Sequence, residues 1–400
     1  MNSKRILFIT WDNPMVTYME GLFVPIFARL SSQYGYEVHI IQFSWMSESR
    51  VEELALLCRK SGISYFHHMI LLKPHAAIGK YITLSRGAAF ISDYVKKFSI
   101  DIAIARSTMP GKMTLKLPKG NTRIKVIFDA DGLPIEERVD FAGLEINSWR
   151  YKQLKKIEKQ IITRADAVLV RTFAAREVLL SQYDVPPNKF FKVINGRDPE
   201  FFKKDLSARL SVRKKLGIPA NALILTYSGS IGPQYGIEQM LYIYREIAAR
   251  RPSVYLLVIT NNPKYFQEYT EEGDKNIIIM SVPFEEVPQY LATTDVAFAI
   301  RKDSFSMKGV SPVKLAEYIL MQIPVIASSR IGDSEVLLAG QKFVFLLESY
   351  EEKFLDKAVS WIEDISQSKE TTSGLRTFGI ENYGLAVSAR TYHEAIQSVV

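Results

Sequence analysis

Four hundred residues with 51 Lys and Arg against 43 Asp and Glu, and with 47% hydrophobic side chains, describe a chain too long for one ordinary core and too apolar for disorder. The single Cys58 excludes an intrachain disulfide framework and a thiolate metal cluster, each of which needs at least two cysteines, and points to a reducing, cytoplasmic setting. No window approaches the roughly 20 apolar residues of a membrane-spanning helix, and the basic start at Lys4-Arg5 leads into an apolar run too short for a signal-peptide core. The net charge of +8 suits phosphates, nucleic acid or an anionic leaflet, although acids are interspersed over most of the length. It is densest at Lys112, Lys116, Lys119, Arg123 and Lys125, and again from Lys203 to Lys215, where a solvated surface is the ordinary explanation.

Short β-branched runs alternate with stretches of helical period, the signature of βαβ units around parallel sheets. The predicted elements begin with a strand at Ile6–Thr10, a helix over about 21–33 and a strand at Glu37–Phe43. Strands follow at Ile100–Ala105, Ile124–Asp129, Ala167–Val170 and Phe191–Ile194, with a long helix at Trp149–Arg164. The turn Asn195-Gly196 closes this half. The charged stretch Arg197–Ala222 reads as a linker with one short helix. A second set opens with a strand at Leu223–Tyr227, a glycine-bearing loop and a helix with apolar Ile237, Met240, Leu241 and Tyr244. It continues with strands Val254–Thr260, Asn276–Met280, Val296–Ile300 and Pro324–Ala327. The pattern predicts two Rossmann-like halves in series.

Three places concentrate chemistry. The loop Gly229 to Gly236 follows a strand and opens a helix, where glycines let backbone N–H groups approach a phosphate; a plain structural turn explains the spacing equally well. In Gly309-Val310-Ser311-Pro312-Val313-Lys314-Leu315-Ala316-Glu317-Tyr318, Ser311 suits an N-cap and Pro312 the first helical position. Lys314 then opposes the helix dipole unless an anion faces it, and Glu317, one turn on, could accept two hydrogen bonds from a diol. An ordinary Lys/Glu surface pair is the alternative. In the first half, Asp129 and Asp131 end a strand before Gly132 and either face a ligand or cap a turn; Arg106, at the end of another strand, is a parallel case. His39 reads as a satisfied core side chain, and neither a nucleophile elbow nor a Walker sequence is present.

The block from Ser311 to Tyr318 with Ile323-Pro324-Val325-Ile326-Ala327 resembles the signature of retaining GT-B glycosyltransferases of family 4, the group 1 glycosyl transferases. Supporting matches fall in order at Ala165-Asp166-Ala167-Val168, Lys192-Val193-Ile194-Asn195-Gly196, Tyr227 to Gly232 and a final helix at Tyr383–Ile396. The resemblance implies an α/β GT-B fold, two Rossmann-like parallel-sheet domains facing a cleft. Residues 1–200 would bind acceptor, 201–375 a nucleotide sugar, and 376–400 would cross back to the N-terminal domain. It implies transfer of a sugar from a nucleotide diphosphate to a hydroxyl with retention, no metal and no other cofactor. Glu317 would take the ribose, Lys314 and Arg301 the diphosphate, and Gly229, Ser230, Ile231, Gly232, Pro283, Gly309, Val310 and Ser311 would complete the donor site. Glu20, Gly21, Arg106 and Asp131 would lie on the acceptor side. This sequence departs from the family where Gly309 replaces the first Glu of a Glu-x7-Glu pair and where Ser230 and Tyr235 replace two cations.

The implied partners are a nucleotide sugar and a glycan or lipid-linked acceptor, without nucleic acid. An anionic membrane surface is a further expected partner, met at the inner face by Lys112, Lys116 and Lys119 interleaved with Met113, Leu115 and Leu117. The rival readings are a GT-B nucleotide-sugar 2-epimerase and a non-catalytic basic protein that binds phosphate, nucleic acid or a lipid surface.

Overall fold

A computed structural model describes residues 3–14, 17–117, 124–367, 372 and 374–400. They form two compact units, residues 1–194 with 388–400, and residues 195–387.

The first unit is a seven-stranded parallel sheet of β1 (Arg5–Trp11), β2 (Glu37–Ser44), β3 (Ser64–Met69), β4 (Ile102–Arg106), β5 (Lys125–Asp129), β6 (Ala167–Val170) and β7 (Phe190–Lys192), in the order β3-β2-β1-β4-β5-β6-β7. Its central strands are apolar runs because helices cover both faces of a parallel sheet; Ile6, Leu7, Phe8 and Ile9 of β1 are all fully buried. Cys58 is buried in the helix Glu48–Lys60, and burial pushes its thiol up to about 12. His39 bonds Tyr94 and Glu37 and is a satisfied core side chain.

The second unit holds β8 (Leu223–Ser228), β9 (Val254–Ile259), β10 (Ile277–Met280), β11 (Val296–Ala299), β12 (Val325–Ser328) and β13 (Val344–Leu347), all parallel, in the order β10-β9-β8-β11-β12-β13.

Four expectations are corrected. The stretch Arg197–Ala222 is no linker: Phe202 is 1% exposed in the second core, and Asp205 caps the helix Leu206–Lys215 by accepting from the Ser207 and Ala208 amides. Arg209 and Arg213 of that helix pair with Asp295 at 2.7 and 3.0 Å. The final helix does not start at Tyr383, which ends the helix Leu375–Tyr383. Gly384 is extended between it and Leu385–Gln397, where a Cβ would collide with the Ile380 carbonyl. Strands β3 and β13 were not expected; both are sheet edges, where the apolar run is short or interrupted. Met113 and Leu117 face the core at 1% and 3% exposure, so they cannot rest on a leaflet beside Lys112 and Lys116. Lys119 and Arg123 lie outside the described residues.

Candidate donor and acceptor sites at the sheet switch points

In an open parallel sheet, ligands bind beyond the carboxyl ends of the strands where the strand order reverses. That point in the second unit lies between β8 and β11. Past β8, Gly229 takes φ 148°, a conformation that side chains rarely adopt, and its N–H donates to the Ile259 carbonyl at 2.8 Å. The loop is braced from beneath: the Tyr318 hydroxyl accepts the Ser228 N–H at 2.8 Å, and the Tyr227 hydroxyl donates to the Ser230 carbonyl. The N–H groups of Ser230, Ile231 and Gly232 have no acceptor among the described residues. The helix Ile237–Arg250 then starts at Gly236 without a side-chain cap.

Past β11, the Arg301 guanidinium lies 4.6 Å from the Tyr235 ring centroid and donates to its hydroxyl at 3.2 Å. The tyrosine that replaces an expected cation therefore seats another one. A tight turn, Phe305–Gly309, leads to the helix Val313–Leu320. That helix begins one residue later than expected. Pro312, at ψ 113°, is extended and occupies the cap position, and the Ser311 hydroxyl caps nothing. The Val310 N–H donates to the Met307 carbonyl at 3.1 Å, and the Gly229 N–H is likewise committed, so neither is available to an anion.

Lys314 leaves the first turn of this helix and lies against the backbone of Gly229; its Nζ is 2.9 Å from where a Cβ there would stand. Among the described residues its ammonium has no hydrogen bond and no carboxylate within 4 Å. Burial holds the Lys314 ammonium below the ordinary lysine range; Arg197 and Arg301 push the same way, and Glu317 partly opposes them. A glycine is needed at 229 so that Lys314 can pass. Gly229→Ala is expected to cost roughly 1–3 kcal/mol of stability through backbone strain and to displace Lys314, which thermal unfolding and nucleotide titration of the same variant would register.

Glu317 does not present an open carboxylate. It is 1% exposed, and Arg197 donates to its Oε1 from Nε at 2.9 Å and from Nη2 at 2.7 Å. Arg197 is itself buried, 5.7 Å from the rings of both Phe202 and Phe284, and its backbone bridges the chain at Tyr383 and Leu385. Pro283 directly precedes Phe284, the residue whose ring meets Arg197, and its carbonyl accepts the Glu286 N–H at 3.0 Å. Arg197 directly follows the Asn195-Gly196 turn, the one signal near it in the sequence.

In the first unit the order reverses between β1 and β4. Charge gathers there from four strand ends. Arg106 pairs with Asp131 at 2.5 Å and Asp12 at 3.5 Å; Arg171 pairs with Asp129 at 2.6 Å and reaches Asp131 at 3.8 Å. The Tyr392 hydroxyl adds a bond to Asp129. Asp129 also accepts the Asp131 N–H at 3.1 Å, so it both holds the turn and neutralises Arg171. Burial raises the Asp131 carboxyl, with Arg106 and Arg171 opposing. Buried nitrogens remain unsatisfied at Arg106 Nε and at Arg171 Nε and Nη1. Glu20 and Gly21 lie in a π-helical turn, Met19–Phe23, where Glu20 pairs with Arg50.

Residues 222–364 match the profile of Glycosyl transferases group 1. Over that stretch, within the second unit, the chain is similar to the group 1 glycosyl transferases. A D-inositol 3-phosphate glycosyltransferase of Stackebrandtia nassauensis is 30% identical over 97 residues, 24% of this chain and 21% of that protein. TuaH of Bacillus subtilis, named as a teichuronic acid biosynthesis glycosyltransferase, is 26% identical over 223 residues, 53% of this chain and 52% of that protein. The matches thus span about a fifth and a half of these relatives' lengths. Anabaena HepE, solved with UDP and glucose, superposes with TM-score 0.73 at 14% identity over 98% of this chain and 99% of that one. That likeness shows the GT-B fold over both units.

Proposed function

We propose that this chain is a retaining glycosyltransferase that moves a sugar from a nucleotide diphosphate to a hydroxyl of a glycan or lipid-linked acceptor. The observation that carries the reading is the juxtaposition, at the β8/β11 switch point, of three amides and a buried ammonium for which the described residues supply neither an acceptor nor a carboxylate within 4 Å. A diphosphate supplies what both lack. Arg301, oriented by Tyr235, adds a second cation. Glu317, 1% exposed and bonded by Arg197 at Oε1, holds that arginine beside the site instead of meeting the ribose as an open carboxylate. The bond from the anomeric carbon to the diphosphate breaks, a bond to the acceptor oxygen forms on the same face, and the acceptor proton passes to the departing diphosphate oxygen. Lys314 and the amides stabilise the charge that grows on that oxygen. Neither metal nor general base takes part. On the acceptor side, Arg106, Arg171 and Asp131 form the polar floor beside Glu20 and Gly21.

A panel of nucleotide sugars followed by thermal unfolding tests this. A donor at 100 times its dissociation constant adds roughly 2.7 kcal/mol to the stability of the unit that holds it. Because a bound anion raises the depressed Lys314 pKa, the wild type takes up protons on binding at high pH. Its affinity therefore falls as pH rises through that value, and Lys314→Gln is flat. No stabilisation by any donor, or an epimerised sugar as product, would sink the proposal.

A further inference from the structure

One edge of the sheet in the first unit is open. β3 pairs with β2 on one side, and among the described residues no backbone group of another element bonds to Ser64–Met69. Edge strands are commonly guarded by proline, lysine or acidic side chains against pairing with another chain. Ser64-Tyr65-Phe66-His67-His68-Met69 carries none of these, and Phe66 and Met69 are 41% and 46% exposed.

The helix Ala76–Lys97 borders that edge. Its Phe90 ring lies 4.8 Å from the ring of Phe66 and 5.3 Å from that of His68, so these two strand residues share the helix side of the sheet and His67 points to the other. A groove of about 550 Å³ opens beside them, walled by Phe66, Phe90 and Tyr94. Charge of both signs flanks Phe90. Arg86 and Asp93 are exposed and stand seven positions apart, hence on one face of the helix about two turns from each other, with Phe90 between them. Among the described residues neither has an ion-pair partner.

These features are complementary to themselves. An antiparallel second β3 centred on His67 sets Phe66 against the partner's His68 and Tyr65 against the partner's Met69, aromatic and apolar cross-strand pairs of the kind that stabilise a sheet. The same twofold axis passes beside Phe90 and lays the helix antiparallel to its copy, so that Arg86 meets the partner's Asp93 and Asp93 the partner's Arg86. Arg59 and Lys97 line the groove together with Ile63, at the start of β3, and antiparallel pairing carries the two starts to opposite ends. Like charges are therefore kept apart. A strand from another protein would fit the edge without matching this charge order. We infer that β3 and the helix Ala76–Lys97 pair with their own copies about a twofold axis, joining two first units into one continuous sheet, independently of the sugar-transfer reading.

The test is sedimentation velocity of the full chain over a range of micromolar concentrations, with hydrogen exchange of the β3 amides. The wild type should sediment as a dimer, and its β3 amides should exchange more slowly than in the dissociated chain at high dilution. Arg86→Asp and Asp93→Lys each bring like charges together twice in a symmetric pair, and each should weaken the dimer about tenfold or more. An equal mixture of the two variants should restore it, as should Arg86→Asp/Asp93→Arg in one chain. A wild type that stays monomeric, a dimer indifferent to the single variants, a mixture no tighter than its components, or a dimer whose β3 amides exchange as in the monomer would overturn the inference.

Discussion

Glu317→Ala should lower the stability of the second unit by about 3–5 kcal/mol, the cost of leaving one member of a buried ion pair without the other. From the sequence this carboxylate was expected to face a ligand, so that its removal would spare the fold. The geometry reverses that expectation, because Glu317 is 1% exposed and receives two bonds from Arg197, itself 6% exposed. Glu317→Gln, which keeps an acceptor near Oε1, should cost less, and Arg197→Met/Glu317→Met should recover most of the loss, since removing both charges removes the uncompensated one. Urea unfolding of the full chain, followed by a probe in the second unit, reads all three. If Glu317→Ala unfolds at the wild-type midpoint, the pair is not what secures residues 195–200 to this unit. Nucleoside diphosphate affinity is then measured on Glu317→Gln, whose fold should be intact.

Lys314→Gln should separate stability from turnover in the opposite sense. The side chain sits in the first turn of the Val313–Leu320 helix, where a cation opposes the dipole, and burial already disfavours its charge. Removing the charge should therefore leave the melting temperature equal or raise stability by a few tenths of a kcal/mol. Transfer should slow by roughly 10²–10³, the usual cost of losing one donor to a developing oxyanion. Ground-state binding should suffer less, because negative charge on the leaving oxygen grows toward the transition state. A variant that is destabilised yet fully active would make Lys314 a structural prop for the Gly229 turn.

Much of the fold is legible in the chain because buried parallel strands are written as unbroken apolar runs; Leu223–Ser228 and Val254–Ile259 differ by at most one residue from the predicted strands. β3 escaped notice because an edge strand with one exposed side tolerates Ser64, His67 and His68. The alternation of Lys112 and Lys116 with Met113 and Leu117 was misread for a related reason: an i, i+4 apolar pair marks a helix face without saying what covers it, and here the core does. Within the candidate site, Gly229 and Lys314 stood out singly, but no local pattern shows that one makes room for the other. The Arg197–Glu317 pair spans 120 positions and comes from tertiary packing alone. Arg171 was not singled out at all, although it completes the cluster around Asp129.

The last helix has a consequence for how the molecule is made. Residues 388–400 belong to the first unit, where Tyr392 packs 5.9 Å from the Phe27 ring and bonds Asp129, and His393 stacks on Tyr34 at 3.9 Å. During synthesis the second unit is complete once residue 387 has left the ribosome, whereas the first must wait with Phe27 and the Asp129–Arg171 pair uncovered. The order of emergence and the order of completion are therefore inverted, and the half begun first is the half that depends longest on protection from aggregation.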